Sequence, residues 1–323
     1  MCLPEIVAHA DWSANPPGRQ IAIARRFGSD RAGVRYAASA PRPVGDLADL
    51  IPALLAEAGP DGSALLGVDF PLGLPVAYAR AAGIDDFPAA LARFGRGKWR
   101  AFYEPAETAE EISLTRPFYP ARNGPKGTIR RADLPEALGL ASYDELHRRC
   151  DRGHPDRAAA AALFWTLGGN QVGKAAIAGW RDLVAPALRG PHPVWLWPFD
   201  GALATLLNRP GVTIAETYPG EIYGHLGLAI ADPRRSKRRQ ADRAFDALKL
   251  TAAATRLGTD LADGFASAIC DGFGADARGE DRFDAAVGLI GLLNILRGQR
   301  APGDPTDQVR RRVEGWILGQ ADR

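Results

Sequence analysis

Two aspartates in this chain sit where strands end, and two more sit where a helix begins. Asp11 follows the apolar run Ile6-Val7-Ala8-His9-Ala10, and Asp69 follows Ala64-Leu65-Leu66-Gly67-Val68. Aspartate is disfavoured in strands, so its presence at matching places in two of them needs a reason. If the strands are parallel neighbours, both carboxylates emerge at one sheet edge, where open α/β sheets place their ligands. Asp281 and Asp284 are three apart, so they share a face in the first turn of an apolar helix. Gly288 and Gly291 continue that face without bulk, which lets the helix lie close against a sheet. Carboxylates brought together repel, and a divalent cation removes that cost. Mg²⁺ takes hard oxygen ligands and keeps several waters while bound by few carboxylates. The metal-ligating candidates are therefore Asp11, Asp69, Asp281 and Asp284, with Mg²⁺ or Mn²⁺ as the cofactor. Taken singly, Asp281 also reads as a helix-dipole partner and Asp11 as a turn residue holding the backbone of Trp12-Ser13. The set in this order favours a site.

A second group of residues could bind phosphate. Nine Lys/Arg and four Glu lie between Arg93 and Arg131, interleaved with Phe94, Trp99, Phe102, Tyr103, Phe118 and Tyr119. Cations for phosphate and aromatic faces for stacking are what a single-strand groove uses. Arg96, Lys98, Trp99 and Arg100 are the substrate-binding candidates there, against the alternative of a surface insertion with its own small core. Arg234-Arg235-Ser236-Lys237-Arg238-Arg239 holds five cations in six residues. Cations are unfavourable at a helix N-terminus, which favours phosphate contact and adds Lys237 and Arg238. Gly168 to Ala175 approaches a phosphate-binding P-loop but has Ala175 where the pattern needs Ser or Thr. Its other reading is a glycine-rich turn at the rim of the site. His147, Cys150 and His154 have helical spacing but no evident fourth zinc ligand, and His9 shares the face of Asp11 by strand alternation.

The elements that position these residues read as follows. Strands are expected at 6–13, 20–27 and 34–40, separated by turn residues as in an antiparallel meander. A helix at 46–58 closes at Gly59-Pro60. A fourth strand, 64–70, is apolar throughout and so central. From about 72 to 167 strand signals thin out, with helical pieces around 89–94, 143–150 and 157–167, so this stretch reads as a mainly helical insertion. A helix at 171–188, strands at 194–197 and 212–216, and helices at 219–228, 238–256, 261–270 and 281–296 complete the chain. A last short helix ends in Trp316-Ile317-Leu318. The fold class is a mixed α/β sheet with helices on its faces, in one domain spanning 1–323.

The order of elements and acids resembles the RNase H-like superfamily, whose acids lie on the first strand, the fourth strand and the final helix. More narrowly, Gly67-Val68-Asp69-Phe70-Pro71-Leu72-Gly73-Leu74-Pro75, Gly168 to Gly173, Glu216-Thr217-Tyr218-Pro219 and Asp281-Arg282-Phe283-Asp284-Ala285 resemble a poorly characterised family of predicted RNase H-like nucleases. The resemblance covers most of the chain outside the insertion and implies catalytic roles for Asp11, Asp69 and Asp284. Ribonuclease H carries a further glutamate on its first helix. Here Glu57 sits near that helix's end, so Glu216, on a later strand, is taken as its substitute. The implied chemistry is phosphodiester hydrolysis with two ions roughly 3.5–4 Å apart, one activating water and one stabilising the leaving oxygen, with Asp11 bridging them. An actin-like and sugar-kinase-like nucleotide-binding fold shares this sheet order, so fold alone does not establish nuclease activity. A non-catalytic nucleic-acid-binding or scaffold protein is the alternative, and an NTPase a further one.

The bulk properties fit this reading. With 323 residues, 46% hydrophobic and 24% charged, the chain can bury a sizeable core. A net charge of +2 does not mark a nucleic-acid binder by itself, so any basic patch must be local. Residues 1–6 do not lead from a basic start into a long apolar run, and no apolar stretch is bilayer length. Three scattered cysteines argue against a disulfide framework. A cytoplasmic, non-membrane protein with nucleic acid as partner is expected.

Overall fold

The computed structural model describes residues 3–28, 33–125, 128–154, 157–168 and 172–321. In chain order, β1 (Ile6–Asp11), β2 (Gln20–Phe27) and β3 (Arg35–Pro43) form an antiparallel meander. Helix α1 (Leu47–Ala58) starts at Asp46, whose carboxylate accepts from the Ala48 N–H, and leads into β4 (Ser63–Val68). Next come α2 (Val76–Ala82), α3 (Phe87–Leu91) and α4 (Asp133–Leu138). Helix α5 (Val172–Gly179) runs through a π-helical turn, Trp180–Val184, into α6 (Ala185–Arg189). Strand β5 (Val194–Trp197), α7 (Leu203–Leu206), β6 (Gly211–Glu216) and α8 (Pro219–His225) follow. The last elements are α9 (Gln240–Phe245), α10 (Ala247–Arg256), β7 (Thr259–Leu261), α11 (Asp263–Cys270) and α12 (Gly279–Leu296). One seven-stranded sheet has the order β5-β6-β4-β1-β2-β3-β7. Strands β5, β6, β4 and β1 are mutually parallel, so their carboxyl ends share an edge.

Strand alternation divides the sheet into two cores. Ile6, Ala8 and Ala10 of β1 enter one with α1, α5 and α6, while Val7 enters the other beneath α10, α11 and α12. The expected fourth strand and the parallel pairing of β1 with β4 are present, with Ala10 beside Val68.

The insertion differs from a mainly helical one. It holds short helices joined by irregular chain, with two 3₁₀ turns, Tyr143–Leu146 and Arg149–Asp151, in place of the helix expected at 143–150. No helix forms over the described part of 157–167. Ala160 N–H bonds to Asp151 O instead, and Trp165 bridges to Tyr119. The long helix expected at 238–256 breaks at Asp246, whose carboxylate takes the N–H groups of Ala229 and Ile230 at 2.6 and 2.9 Å. Strand β7, three residues long, occupies the expected start of the helix at 261. The chain end turns through a π-helical segment, Arg310–Glu314, and then buries Trp316, Ile317 and Leu318 without helix. Residues 169–171, within the glycine-rich stretch and at the expected start of α5, lie outside the described residues. Among the described residues no helix is long and apolar enough to cross a membrane.

Helix α12 lies against β1 and β2, and Gly288 makes the approach possible. A Cβ built there stands 2.2 Å from the ring of the fully buried His9. Gly291 clears Ile222 of α8 rather than the sheet. Gly288→Ala should therefore lift the helix or push His9 aside, at about 1–3 kcal/mol for overpacking. Urea denaturation of the single variant and of His9→Ala/Gly288→Ala checks this. Additive losses in the pair would mean that the two positions do not touch.

Candidate active site

The carboxyl edge of the sheet opens into a cleft of about 750 Å³ whose lining includes Asp11, Asp69, Asp281 and Asp284. Asp11 ends β1 on the α12 side of the sheet. Asp69, one residue beyond β4, continues the same alternation, and its Oδ1 accepts the Trp12 N–H at 2.6 Å. The segment after Asp69 is pinned from the opposite side. Phe70 packs edge-on to Trp12 at 5.1 Å, the Trp180 indole donates to Pro71 O at 2.6 Å, and Leu72 N–H donates to Glu216 at 2.7 Å. Asp284 comes from the second turn of α12, one turn before the Gly288 contact. Its Oδ1 accepts from the Tyr223 hydroxyl of α8 and its Oδ2 from the Lys237 ammonium.

The electrostatics follow from crowding. Burial first, then Asp69 and Asp284, hold the Asp11 carboxyl well above the usual carboxylate range, with Lys237 opposing. Burial pushes Asp69 up to about 7; the Trp12 N–H pulls it down and Asp284 adds to the rise. Asp281 is pushed up to about 6 by burial, Glu280 and Asp284. Burial opposes the charge on Lys237, but Asp284 and Asp11 outweigh it and raise its pKa. Burial and crowding thus favour proton retention on these carboxyls, and the Lys237 ammonium offsets part of their repulsion. Among the described residues, no three His, Cys, Asp or Glu side chains stand close enough to form a ready coordination shell.

Other nominated residues stand elsewhere. Glu216 points to the opposite face of the sheet. It pairs in register with Val68, whose side chain lies in the α1-side core, so the position level with Asp69 is Thr217. Both Glu216 oxygens are taken by Arg148, each at 2.6 Å. Trp99 is only 4% exposed, packed against Phe94 and Phe102, and offers no open face for a base. Phe94, Phe102 and Phe118 are buried with it, in a core continuous with that of the sheet. Arg96, Lys98 and Arg100 are exposed but do not line the cleft; Lys98 lies over the Trp99 ring. The basic run 234–239 is ion-paired throughout, with Asp232, Asp242, Glu280 and Asp284. Arg238 meets Glu280 at 3.7 Å outside the cleft lining. His9 bonds to Thr217 Oγ1 at 2.8 Å, and burial lowers its pKa to about 3, so it is a neutral packing residue.

The cleft also takes residues not nominated from sequence: Tyr218, Tyr223 and Lys174. Strand alternation counted through Glu216-Thr217-Tyr218 would have removed Glu216 from the site. Only the tertiary path of α8 brings Tyr223 to Asp284. Lys174, from the glycine-rich stretch, does reach the rim. Comparison with known proteins gives no match to a family model, to a curated protein or to a solved structure.

Proposed function

We propose that the chain is an RNase H-like, divalent-cation-dependent phosphodiesterase acting on nucleic acid. The observation that carries this is that Asp11, Asp69 and Asp284, from β1, the end of β4 and the last long helix, line one cleft. The meander followed by parallel strands, in the order β3-β2-β1-β4-β6, supports it. The donor set suits a hard cation: all its charged ligands are carboxylate oxygens, and their crowding is unfavourable without positive charge. Asp11, Asp69 and Asp284, with Asp281, are the residues that would hold Mg²⁺ or Mn²⁺. Bound there, such an ion activates water and offsets charge on phosphate. Lys237 and Lys174 face the same cleft and supply cations for the phosphate. Tyr223 orients Asp284 through its hydroxyl and is a positioning residue.

The Lys237–Asp284 pair favours a second reading, a non-catalytic nucleic-acid-binding or scaffold protein whose cleft is already neutralised by a side chain. Metal titration separates the two. On the first reading, Asp11 and Asp69, whose pKa values are raised, would lose protons as Mn²⁺ bound, and binding would release protons into a weakly buffered solution. It also stabilises the fold, by about 2.7 kcal/mol at a hundredfold excess over Kd. Calorimetry in two buffers of different ionisation enthalpy, a thermal melt, and cleavage of labelled DNA, RNA and hybrid substrates measure all three. Absence of proton release and of any melting shift would leave the scaffold reading standing.

A further inference from the structure

Away from the acidic cleft, a second pocket of about 320 Å³ is lined by Arg96, Arg100, Tyr103, Arg181 and Arg189, with Glu104 beside them. Its two walls come from distant parts of the chain. Arg96 and Arg100 flank a 3₁₀ turn, Gly97–Trp99, fixed by the buried Trp99 and by Gly95 N–H bonding to Trp99 O at 3.0 Å. Arg181 and Arg189 are eight residues apart on the continuous α5–α6 helix, with Ala185 between them leaving room. Arg181 is paired with Asp182, at 2.6 Å. Among the described residues, Arg96, Arg100 and Arg189 have no acidic partner. Between the walls stands Tyr103, 8% exposed, whose hydroxyl has no hydrogen-bond partner among the described residues.

Four exposed arginines from two walls give this pocket an excess of positive charge over its one lining carboxylate, Glu104, and a buried hydroxyl without a partner costs about 1–3 kcal/mol. One ligand relieves both: an anion with several acceptor oxygens. A carboxylate has two oxygens and is satisfied by a single fork. Guanidiniums from two walls and a phenolic O–H match the three or four oxygens of a phosphate group. We propose that this pocket binds a phosphate group, as a separate site from the acidic cleft. Arg96 and Arg100, singled out from sequence as phosphate contacts, thus work with Arg181 and Arg189 rather than with Lys98 and Trp99.

The full-length protein is titrated calorimetrically in the presence of a chelator, so that no cation bridges phosphate to the acidic cleft. The probes are inorganic phosphate, a 5′-phosphorylated single-stranded oligonucleotide and the same oligonucleotide without that phosphate. Arg100→Gln and Arg189→Gln should each weaken binding roughly tenfold, the scale of one charge-assisted contact. Tyr103→Phe should weaken it severalfold while melting no lower than wild type, because the unpartnered hydroxyl is gone. Binding of inorganic phosphate and a preference for the 5′-phosphorylated strand would assign the pocket to a terminal phosphate. Equal, arginine-dependent binding of both strands, without inorganic phosphate, would assign it to the backbone diester. The proposal is overturned if no probe binds, or if binding is the same in wild type and in all three variants. Tyr103→Phe keeps it testable should an arginine variant fail to fold.

Discussion

If the chain is the phosphodiesterase proposed above, Asp11→Asn should abolish its hydrolysis while leaving the fold intact. Asparagine nearly matches aspartate in shape, so the packing at the end of β1 survives. The change removes the charge on which cation binding depends. The expected loss of activity is roughly a hundredfold or more, above the ten- to hundredfold that even the outer partners of metal ligands are worth. Stability moves the other way in metal-free protein. Asp11 is raised well above its ordinary value and Asp69 to about 7, both first by burial. A carboxyl whose folded pKa is raised stabilises the fold below its unfolded pKa, near 3.8, and that contribution is lost as pH rises through the folded value. Metal-free wild type should therefore weaken between about pH 4 and 7, and Asp11→Asn should weaken less, because one member of the crowd is neutral. Adding Mn²⁺ should restore wild type and do little for the variant. Thermal melts from pH 4 to 8 with and without Mn²⁺, beside cleavage assays, read all of this. An equal response to Mn²⁺ in both proteins would remove Asp11 from the site.

Where a side chain's position follows from strand periodicity, the sequence was readable. The apolar runs ending at Asp11 and Asp69 define strand ends, and their parallel pairing puts both acids level. Gly288 likewise announced a close helix–sheet contact, although its partner, His9, could be identified only from register. Glu216 shows the limit of motif reading: the acid in Glu216-Thr217-Tyr218-Pro219 drew the assignment, whereas period-two alternation assigns Thr217 to the face that carries Asp11 and Asp69. Contacts between distant segments were not legible. Nothing in local pattern tells that Lys237 lies on Asp284, or that Arg181 and Arg189 join Arg96 and Arg100. In the insertion, aromatic residues between cations fit both a stacking groove and a small core. Burial decides for the core, because Trp99, Phe94 and Phe102 pack on one another and on the sheet-side helices. The short helices there had little apolar periodicity to announce them, and their conformation depends on tertiary partners rather than propensity.

The arginine beneath Glu216 should prove critical to the stability of the fold. Arg148 is fully buried, bonded to both oxygens of Glu216 at 2.6 Å and to Asp151 at 2.8 Å, and it also reaches Leu72 O at 3.3 Å. Burial works against its charge, but Asp151 and Glu216 outweigh that and hold it protonated. Arg148→Met keeps much of the volume and leaves two buried carboxylates without a counter-charge. Breaking a buried pair in this way costs about 3–5 kcal/mol, a large part of the roughly 5–15 kcal/mol that holds a folded domain together. Burial already raises the Glu216 pKa and Arg148 opposes that rise, so without the arginine Glu216 ionises still less readily when folded. A raised folded pKa makes the variant regain stability on acidification from pH 7 towards 5, the opposite of what loss of an ordinary ion pair gives. Arg148→Met/Glu216→Gln should recover part of the loss, and the double-mutant cycle isolates the coupling. The effect also reaches the acidic cleft. Arg148 and Glu216 both grip Leu72, three residues beyond Asp69, so loosening them frees the segment that aims that carboxylate. On the proposed function, cleavage and the Mn²⁺ response should fall in Arg148→Met even at temperatures where it remains folded. Urea denaturation at pH 5 and 7 provides the check. A variant within about 0.5 kcal/mol of wild type at pH 7, the range of an ordinary surface change, would show that the buried Arg148–Glu216 pair does not hold the fold together.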